Sequence, residues 1–345
     1  MPIRSQGVTL VAGFRVAVAG ATGLVGRTIT GVLVERGFPI EEIRLLASAK
    51  SAGTVLDFAG QPVTVRTADA DAFAGMDYVF FAVGTEASRV LVPQARAAGA
   101  VAIDKSNAYR MDPAVPLVVP EVNAYALAGH AGIVASPNCT TIQTVLALKP
   151  IADIAGLEWI HVCSYQAVSG SGRGGMDELA QQQRAIAAGE QPVARFYPRQ
   201  IAGNVIPHID DFGPDGYTGE ERKLIAETRK ILDLPHLPVA STSVRVPVMV
   251  SHATAVLVKT TRPIDVQAAR AAIAAFPGVR LVDDPVREQY PTPLDAAGQD
   301  LVLVGRIRAV PDMPNALEMW VVGDNLRKGA ATNAVQIAES LAGLR

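Results

Sequence analysis

Arg15-Val-Ala-Val-Ala-Gly20-Ala-Thr-Gly-Leu-Val-Gly26 sets an apolar run against glycines at positions 20, 23 and 26. The run reads as a buried strand, and Leu24 to Arg36, closed by Gly37, as the helix that follows. Glycine between a strand and a helix removes Cβ atoms where a backbone must approach a pyrophosphate, which the helix N-terminus then stabilises. The spacing is GxxGxxG, not GxGxxG, so a plain glycine turn stays open as the alternative. The pattern continues outward from this stretch. Glu42 to Ser48, Asp77 to Val83, Ala100 to Asp104 and Gly132 to Ala135 are further short apolar runs, and Glu86 to Ala98 has helical spacing. Alternation of this kind predicts parallel βαβ units and a doubly wound α/β domain.

Beyond Cys139 the strands lengthen, over Leu157 to Ala167, Thr242 to Val248 and Ala253 to Thr260. Helical spacing covers Gly174 to Ala188, Glu220 to Leu232 and Val266 to Phe276. This predicts a second, α+β domain with an antiparallel or mixed sheet. The expected boundaries are 14–138 for the first domain and 139–324 for the second, with a last helix over 325–342 returning to the first. Met1 to Gly13 has no charged start, long apolar core or small-residue cleavage site, and reads as a short extension or the lead-in to the first strand.

Composition narrows the function classes. The 345 residues are 49% hydrophobic and 19% charged, with a formal net charge of -2. No basic run is interleaved with aromatics, so no nucleic-acid partner is expected. No apolar run approaches a membrane span, so no membrane partner is expected either. Two cysteines, Cys139 and Cys163, fit a reducing compartment and a cytoplasmic location. His130, His161, His208 and His236 lack metal-ligand spacing, and no metal is expected.

Ser136-Pro137-Asn138-Cys139-Thr140-Thr141 follows the apolar run Gly132 to Ala135 and opens a helix. Unpaired N–H groups and the positive end of the helix dipole favour thiolate over thiol there, so Cys139 is a candidate nucleophile; a capped helix beside an inert cysteine is the alternative. At the end of the second strand, Leu46-Ala-Ser-Ala-Lys50-Ser51 carries a cation and hydroxyls where an NAD enzyme commonly has an acidic residue. Lys50 and Ser51 thus favour NADP, unless Lys50 is simply solvated. A thiol with a nicotinamide cofactor points to aldehyde oxidation, or its reverse, through a thiohemiacetal and an acyl thioester.

With these come SNAYR at 106–110, QAVSGSGR at 166–173, GYTGEERK at 216–223, VRVPVMVSH at 244–252 and GDNLRKGAA at 323–331. Together with GATGLVG at 20–26 and SPNCTT at 136–141, they make the chain from Phe14 onward resemble the aspartate-semialdehyde dehydrogenase family. The resemblance implies a Rossmann-type NADP-binding domain and a catalytic and dimerisation domain. It implies reversible, phosphate-dependent reduction of L-aspartyl 4-phosphate to the semialdehyde by NADPH, in the pathway to lysine and diaminopimelate, threonine, methionine and isoleucine. It implies Cys139 as nucleophile, His252 as general acid/base and Gln166 as the substrate-orienting amide. Arg245 would bind the substrate carboxylate, Glu220 its ammonium, and Arg110 and Lys223 the phosphate, with Asn138 beside the nucleophile. Cofactor contacts would come from Gly20, Thr22, Gly23, Leu24, Val25, Gly26, Lys50, Ser51, Ser169, Gly170 and Asn325. The family assembles as homodimers or homotetramers.

Read without the family, His252 could be structural, Glu220 and Lys223 a surface pair, Asn325 a helix cap and the 169–173 glycines a flexible turn. Lys105 departs from the pattern, which has a neutral residue there. Two other readings are an N-acetyl-γ-glutamyl-phosphate reductase-like enzyme, which suits Glu220 and Arg245 less well, and a catalytically silent dinucleotide-binding paralogue, which Cys139 and His252 argue against.

Overall fold

The structure, a computed structural model, describes residues 13–344. The reading of Met1 to Gly13 therefore falls, Gly13 apart, outside the described residues. The chain divides into two compact units, the first of residues 13–120, 124–137 and 330–344 and the second of 121–123 and 138–329.

In the first unit, β1 (Phe14–Ala19) and β2 (Ile40–Ala47) precede a hairpin of β3 (Val55–Phe58) and β4 (Gln61–Thr64). Then come β5 (Arg66–Thr67), β6 (Tyr78–Phe81), β7 (Val101–Asp104) and β8 (Ile133–Ala135). The sheet order is β5-β2-β1-β6-β7-β8, and every pair is parallel. This is the doubly wound order, whose direction reverses between β1 and β6, and sheets of this kind take their ligands in the crevice at the carboxyl ends of those strands. β1 is fully buried from Val16 to Ala19, which is why it reads as a continuous apolar run rather than an alternating one. Helix Leu24–Glu35 buries Ile29, Val32 and Leu33, an i, i+3, i+4 stripe. The same core contains Val335 and Ile337 of the last helix, Thr332–Leu341. Arg36 at the end of the first helix forks onto Glu339 of the last through two 2.8 Å bonds.

That last helix differs from expectation at its start. Asn325 and Leu326 lie in a turn, and a π-helical turn, Arg327–Ala331, precedes the α-helix. The physical reason is Asp324, whose Oδ1 accepts the backbone N–H of Leu326 and Arg327 at 2.8 and 3.1 Å and holds the chain in a turn first.

In the second unit, β9 (Trp159–Gln166), β10 (Val239–Arg245), β11 (His252–Lys259), β12 (Val279–Leu281), β13 (Val302–Ala309) and β14 (Ala316–Gly323) form one mixed sheet. Its order is β10-β9-β11-β14-β13-β12, with parallel pairs at both edges and antiparallel pairs inside. Strand alternation sends Ile160, Val162, Ser164 and Gln166 to one face, where they are buried, and His161, Cys163 and Tyr165 to the other, where they are more open. Helix Cys139–Ala155 packs against β11, β13 and β14 and against helices Gly219–Ile231 and Val266–Ala275. Among the described residues, no helix is long and apolar enough to cross a membrane.

Candidate active site

Cys139 is the first residue of helix Cys139–Ala155, and Asn138 is its N-cap. The Asn138 Oδ1 accepts the backbone N–H of Thr140 and Thr141 at 2.9 and 3.3 Å, so two of the orphan donors are satisfied by the cap. The Asn138 N–H is donated to Glu227 Oε2 at 2.7 Å, and its side-chain Nδ2 to Glu220 Oε1 at 2.9 Å. The residue before the thiol is thus fixed through main chain and side chain together. Cys139 itself is half-buried and forms no disulfide. A Cβ added to Gly329 would stand 2.8 Å from the Cys139 Cβ, so the π-helical turn comes up against the thiol-bearing residue with no room for a side chain.

Glu220 is the junction of this site. Its Oε1 accepts from Asn138 and from Gln166 Nε2, the latter at 3.0 Å, and its Oε2 meets Lys223 Nζ at 3.3 Å. Gln166 also donates to Ser164 Oγ at 3.2 Å. Burial pushes the Glu220 carboxyl up, but the Lys223 cation and the hydrogen bonds from Gln166, Asn138 and Lys223 outweigh it and leave it below the usual carboxylate range. Burial likewise pulls the Lys223 ammonium down, and Glu220 with Asp210 more than restores it. Glu220 is 5% exposed and Lys223 half-buried, so the pair joins a buried carboxylate to a cation that reaches toward the surface. Lys223 donates as well to Asp210.

Arg245 and His252 share one anchor. The Ala167 N–H is donated to His252 Nδ1 at 3.0 Å, and the Ala167 carbonyl accepts Arg245 Nη1 at 2.7 Å. Both side chains are buried. A Cβ on Gly170 would lie 2.9 Å from Arg245 Nη1 and 3.1 Å from His252 Nε2, so only glycine lets the 168–171 turn close over them. Ser169 Oγ donates to Asn325 Oδ1 at 2.9 Å, and the same oxygen accepts the Ser251 N–H at 2.9 Å. Ser251 holds φ at 77°, a left-handed turn that this bond supports immediately before His252.

Taken from the residues upward, the second unit assembles a thiol at a helix start, an imidazole, a buried carboxylate and a buried guanidinium. Two family models match the chain, "Semialdehyde dehydrogenase, NAD binding domain" over residues 15–130 and "Semialdehyde dehydrogenase, dimerisation domain" over 148–328. An aspartate-semialdehyde dehydrogenase of Aquifex aeolicus is 48% identical over 95% of this chain and 98% of its own length. The chain belongs to the aspartate-semialdehyde dehydrogenase family. The crystal structure of the Vibrio cholerae aspartate semialdehyde dehydrogenase II superposes with a TM-score of 0.93 at 45% identity, covering 96% of this chain and 99% of that one. Its complex with ASA superposes at 0.94 and 44% identity, with the same coverage.

The family's NAD-binding unit carries the remaining expected residues. Gly20, with φ at 86°, follows β1; a Cβ there would stand 2.4 Å from the Ala82 carbonyl oxygen, and one on Gly26 only 2.1 Å from the Gly20 oxygen. Gly23 caps helix Leu24–Glu35 with no side-chain bond, and no acidic residue lies in the first turn. This bare, close-packed helix start fits the diphosphate of a dinucleotide, held by backbone N–H groups. Thr22, Leu24 and Val25 are half-buried around it, and the Thr22 carbonyl accepts from Arg27 Nε at 3.2 Å. Past β2, Lys50 is exposed and Ser51 half-buried in a single turn, Ala49–Ser51.

Arg110 belongs to this first unit, buried, with Nε on the Ser136 carbonyl at 3.0 Å and Nη2 on the Lys105 carbonyl at 2.6 Å. Lys105 enters through that carbonyl, and its side chain is half-buried.

Sequence reading missed Glu227, Asp324 and Gly329. Glu227 had a usable signal: it lies seven residues after Glu220 and four after Lys223, one stripe of a helix. Gly329 had none, because its partner Cys139 is remote in sequence.

Proposed function

We propose that this chain catalyses the reversible, phosphate-dependent, NADPH-linked reduction of L-aspartyl 4-phosphate to L-aspartate 4-semialdehyde, on the cytoplasmic pathway to lysine and diaminopimelate, threonine, methionine and isoleucine. The observation that carries it is Cys139 at the first position of a helix whose cap is bonded to Glu220, in a unit that also buries Arg245 and His252. A free amino acid substrate brings an ammonium and a carboxylate, and Glu220 and Arg245 are the complementary charges. The Vibrio cholerae relative, whose structure holds ASA, supports the same substrate class.

In this reading the Cys139 thiolate attacks the acyl carbon, and phosphate departs, met by Lys223 and by Arg110 of the SNAYR motif. Arg245 forks onto the substrate carboxylate, as a planar guanidinium does and an ammonium cannot. Glu220 meets the ammonium; it keeps its charge because its hydrogen-bond donors and Lys223 offset its burial. Gln166, set by Glu220 and Ser164, orients the acyl group. His252 acts as general acid/base on the developing oxyanion. When bound, the nicotinamide cofactor supplies the hydride that reduces the thioester. Gly20, Gly23 and Gly26 leave room for its diphosphate, Thr22, Leu24 and Val25 line that turn, and Lys50 with Ser51 takes the 2′-phosphate that distinguishes NADP from NAD. Ser169, Gly170 and Asn325 order the second cofactor loop. The protein works as a homodimer or homotetramer through its dimerisation-domain sheet.

The test is NADPH formation from the semialdehyde, NADP and inorganic phosphate, with phosphate omitted as control. Turnover that needs phosphate is expected, and Cys139→Ser should abolish it while still binding NADPH. Turnover without phosphate, or full activity in Cys139→Ser, overturns the acyl-enzyme route.

A further inference from the structure

We propose that Glu221 is a positioning residue for substrate recognition: it ties the helix that presents Glu220 to the strand that presents Arg245, and so fixes the two charges that meet a free amino acid. The inference rests on the reading of Glu220 and Arg245 as partners of the substrate ammonium and carboxylate, and deepens it. Glu221 is buried at the third position of helix Gly219–Ile231, and both of its oxygens are engaged. Oε2 accepts the backbone N–H of Thr218, the N-cap, at 2.8 Å, and Oε1 accepts the backbone N–H of Ser243 in β10 at 2.9 Å. The first bond is the reach-back of a capping box. The second leaves the helix and spans 22 positions of the chain.

Ser243 needs such an acceptor because of where its strand lies. β10 is an edge of the sheet, and the N–H groups of Ser243 and Arg245 go to acceptors outside its six strands. That of Arg245 meets the Ile206 carbonyl at 2.8 Å, and that of Ser243, a residue that is 0% exposed, meets Glu221. A buried edge donor without a partner is costly, so the carboxylate covers the edge and holds the helix against it at once.

The contact closes a ring of buried side chains. Gln166 Nε2 donates to Glu220 Oε1 at 3.0 Å and to Ser164 Oγ at 3.2 Å; Ser164 Oγ donates to Ser243 Oγ at 3.1 Å; and the Ser243 N–H returns to Glu221. All five residues are buried. Consecutive residues of a helix point about 100° apart, so Glu220 and Glu221 engage different strands, β9 and β10. Gln166 and Arg245 are themselves paired across those two strands. A single tie through Gln166 would leave the helix start free to pivot about it; the tie from Glu221 to β10 removes that freedom. A ligand carrying both an ammonium and a carboxylate depends on the spacing of their two partners, because both ion pairs must form together.

Two variants separate this role from helix capping. Glu221→Asp keeps the carboxylate and can keep the capping box, as Asp295 does at the third position of helix Pro293–Ala296, where it accepts the Thr292 N–H at 2.8 Å. One methylene shorter, it falls short of Ser243. Thr218→Ala does the reverse: it removes the hydroxyl that accepts the Glu221 N–H at 3.4 Å and leaves the bond to Ser243 in place. With NADP and inorganic phosphate in excess, Glu221→Asp should raise the KM for L-aspartate 4-semialdehyde about tenfold and lower kcat less than about threefold, the pattern of lost binding. Thr218→Ala should lower Tm, as loss of an N-cap does, and leave that KM within about twofold of the parent's. An unchanged KM in Glu221→Asp, or an equal rise in Thr218→Ala, overturns the proposal. A parent without phosphate-dependent turnover defeats the proposed function and this inference together, whereas turnover in the parent with either of those results in the variants defeats this inference alone.

Discussion

Two helices of this protein begin directly after a parallel strand, and they begin in opposite ways. Helix Leu24–Glu35 is capped by Gly23, which offers no side chain, while helix Cys139–Ala155 is capped by Asn138, whose Oδ1 takes the N–H of Thr140 and Thr141. A helix start always exposes donors and positive potential. Left bare, it is a place for a ligand's phosphates; capped, it spends those donors internally and keeps the dipole for the residue at its first position. The difference teaches how one backbone device can be left open or closed by the cap residue; in the proposed function the open start serves cofactor affinity and the capped one thiol chemistry.

The sharpest way to break the comparison is Gly26→Ala. Its Cβ would sit 2.1 Å from the Gly20 oxygen and 2.7 Å from the Gly20 carbonyl carbon, main-chain atoms with nowhere to go. The turn must open, at a cost of about 1–3 kcal/mol typical of overpacking. NADPH affinity, measured by fluorescence titration, should fall at least about tenfold, which is one such 1.4 kcal/mol step. Gly23→Ala, whose Cβ lies 3.2 Å from the same oxygen, should be much milder. Equal, small effects in both would mean that the bare start is not the cofactor's seat.

The second helix start is tested by changing what its cap presents. Asn138→Ala removes the acceptor for Thr140 and Thr141 and one donor to Glu220. Loss of an N-cap side chain costs about 0.5–2 kcal/mol, readable as a lowered Tm. Asn138→Asp keeps the acceptor but sets a second carboxylate against Glu220 and beside Cys139. It should therefore be more stable than Asn138→Ala in its cap yet slower in Cys139 alkylation, by about tenfold if the thiol rises one pKa unit. Identical alkylation rates in Asn138→Asp and the parent would show that the cap does not govern the thiol.

Much of this arrangement was legible in the sequence because it is local. The apolar run before Gly20, the N-cap position of Asn138 and the helical spacing after both depend on residues within a few positions of one another. The strands Val302–Ala309 and Ala316–Gly323 were harder, since Arg306 adopts φ of 56° and the pairing slips between Gly305 and Arg308, which breaks the alternation a strand should show. The contacts that shape the candidate site were illegible for a different reason. Glu227 holds Asn138 from 89 residues away and Asn325 holds Ser169 from 156, and no periodicity carries such pairings. Motif spacing put Glu220 and Lys223 three apart, but only the fold shows that the Glu220 carboxylate is buried and that Gln166 and Asn138 converge on it.

The smallest effect lies at the far end of the dinucleotide, and it sharpens the first half of the comparison. If the Gly23 helix start holds the diphosphate, the adenosine end should reach past β2, where Lys50 stands exposed in the turn Ala49–Ser51. Gly53 donates to the Val65 carbonyl at 2.9 Å, which ties this turn to the segment behind it and fixes its path. An exposed ammonium on a phosphate is worth about 1 kcal/mol or less, because water and salt screen it. Lys50→Glu should therefore raise the KM for NADPH by a few fold to about tenfold and leave that for NADH nearly unchanged, since NADH has no 2′-phosphate to repel. The effect should shrink as salt is raised. A KM for NADPH that ignores both the substitution and the salt would place the 2′-phosphate elsewhere, and with it the direction in which the cofactor leaves the bare helix start.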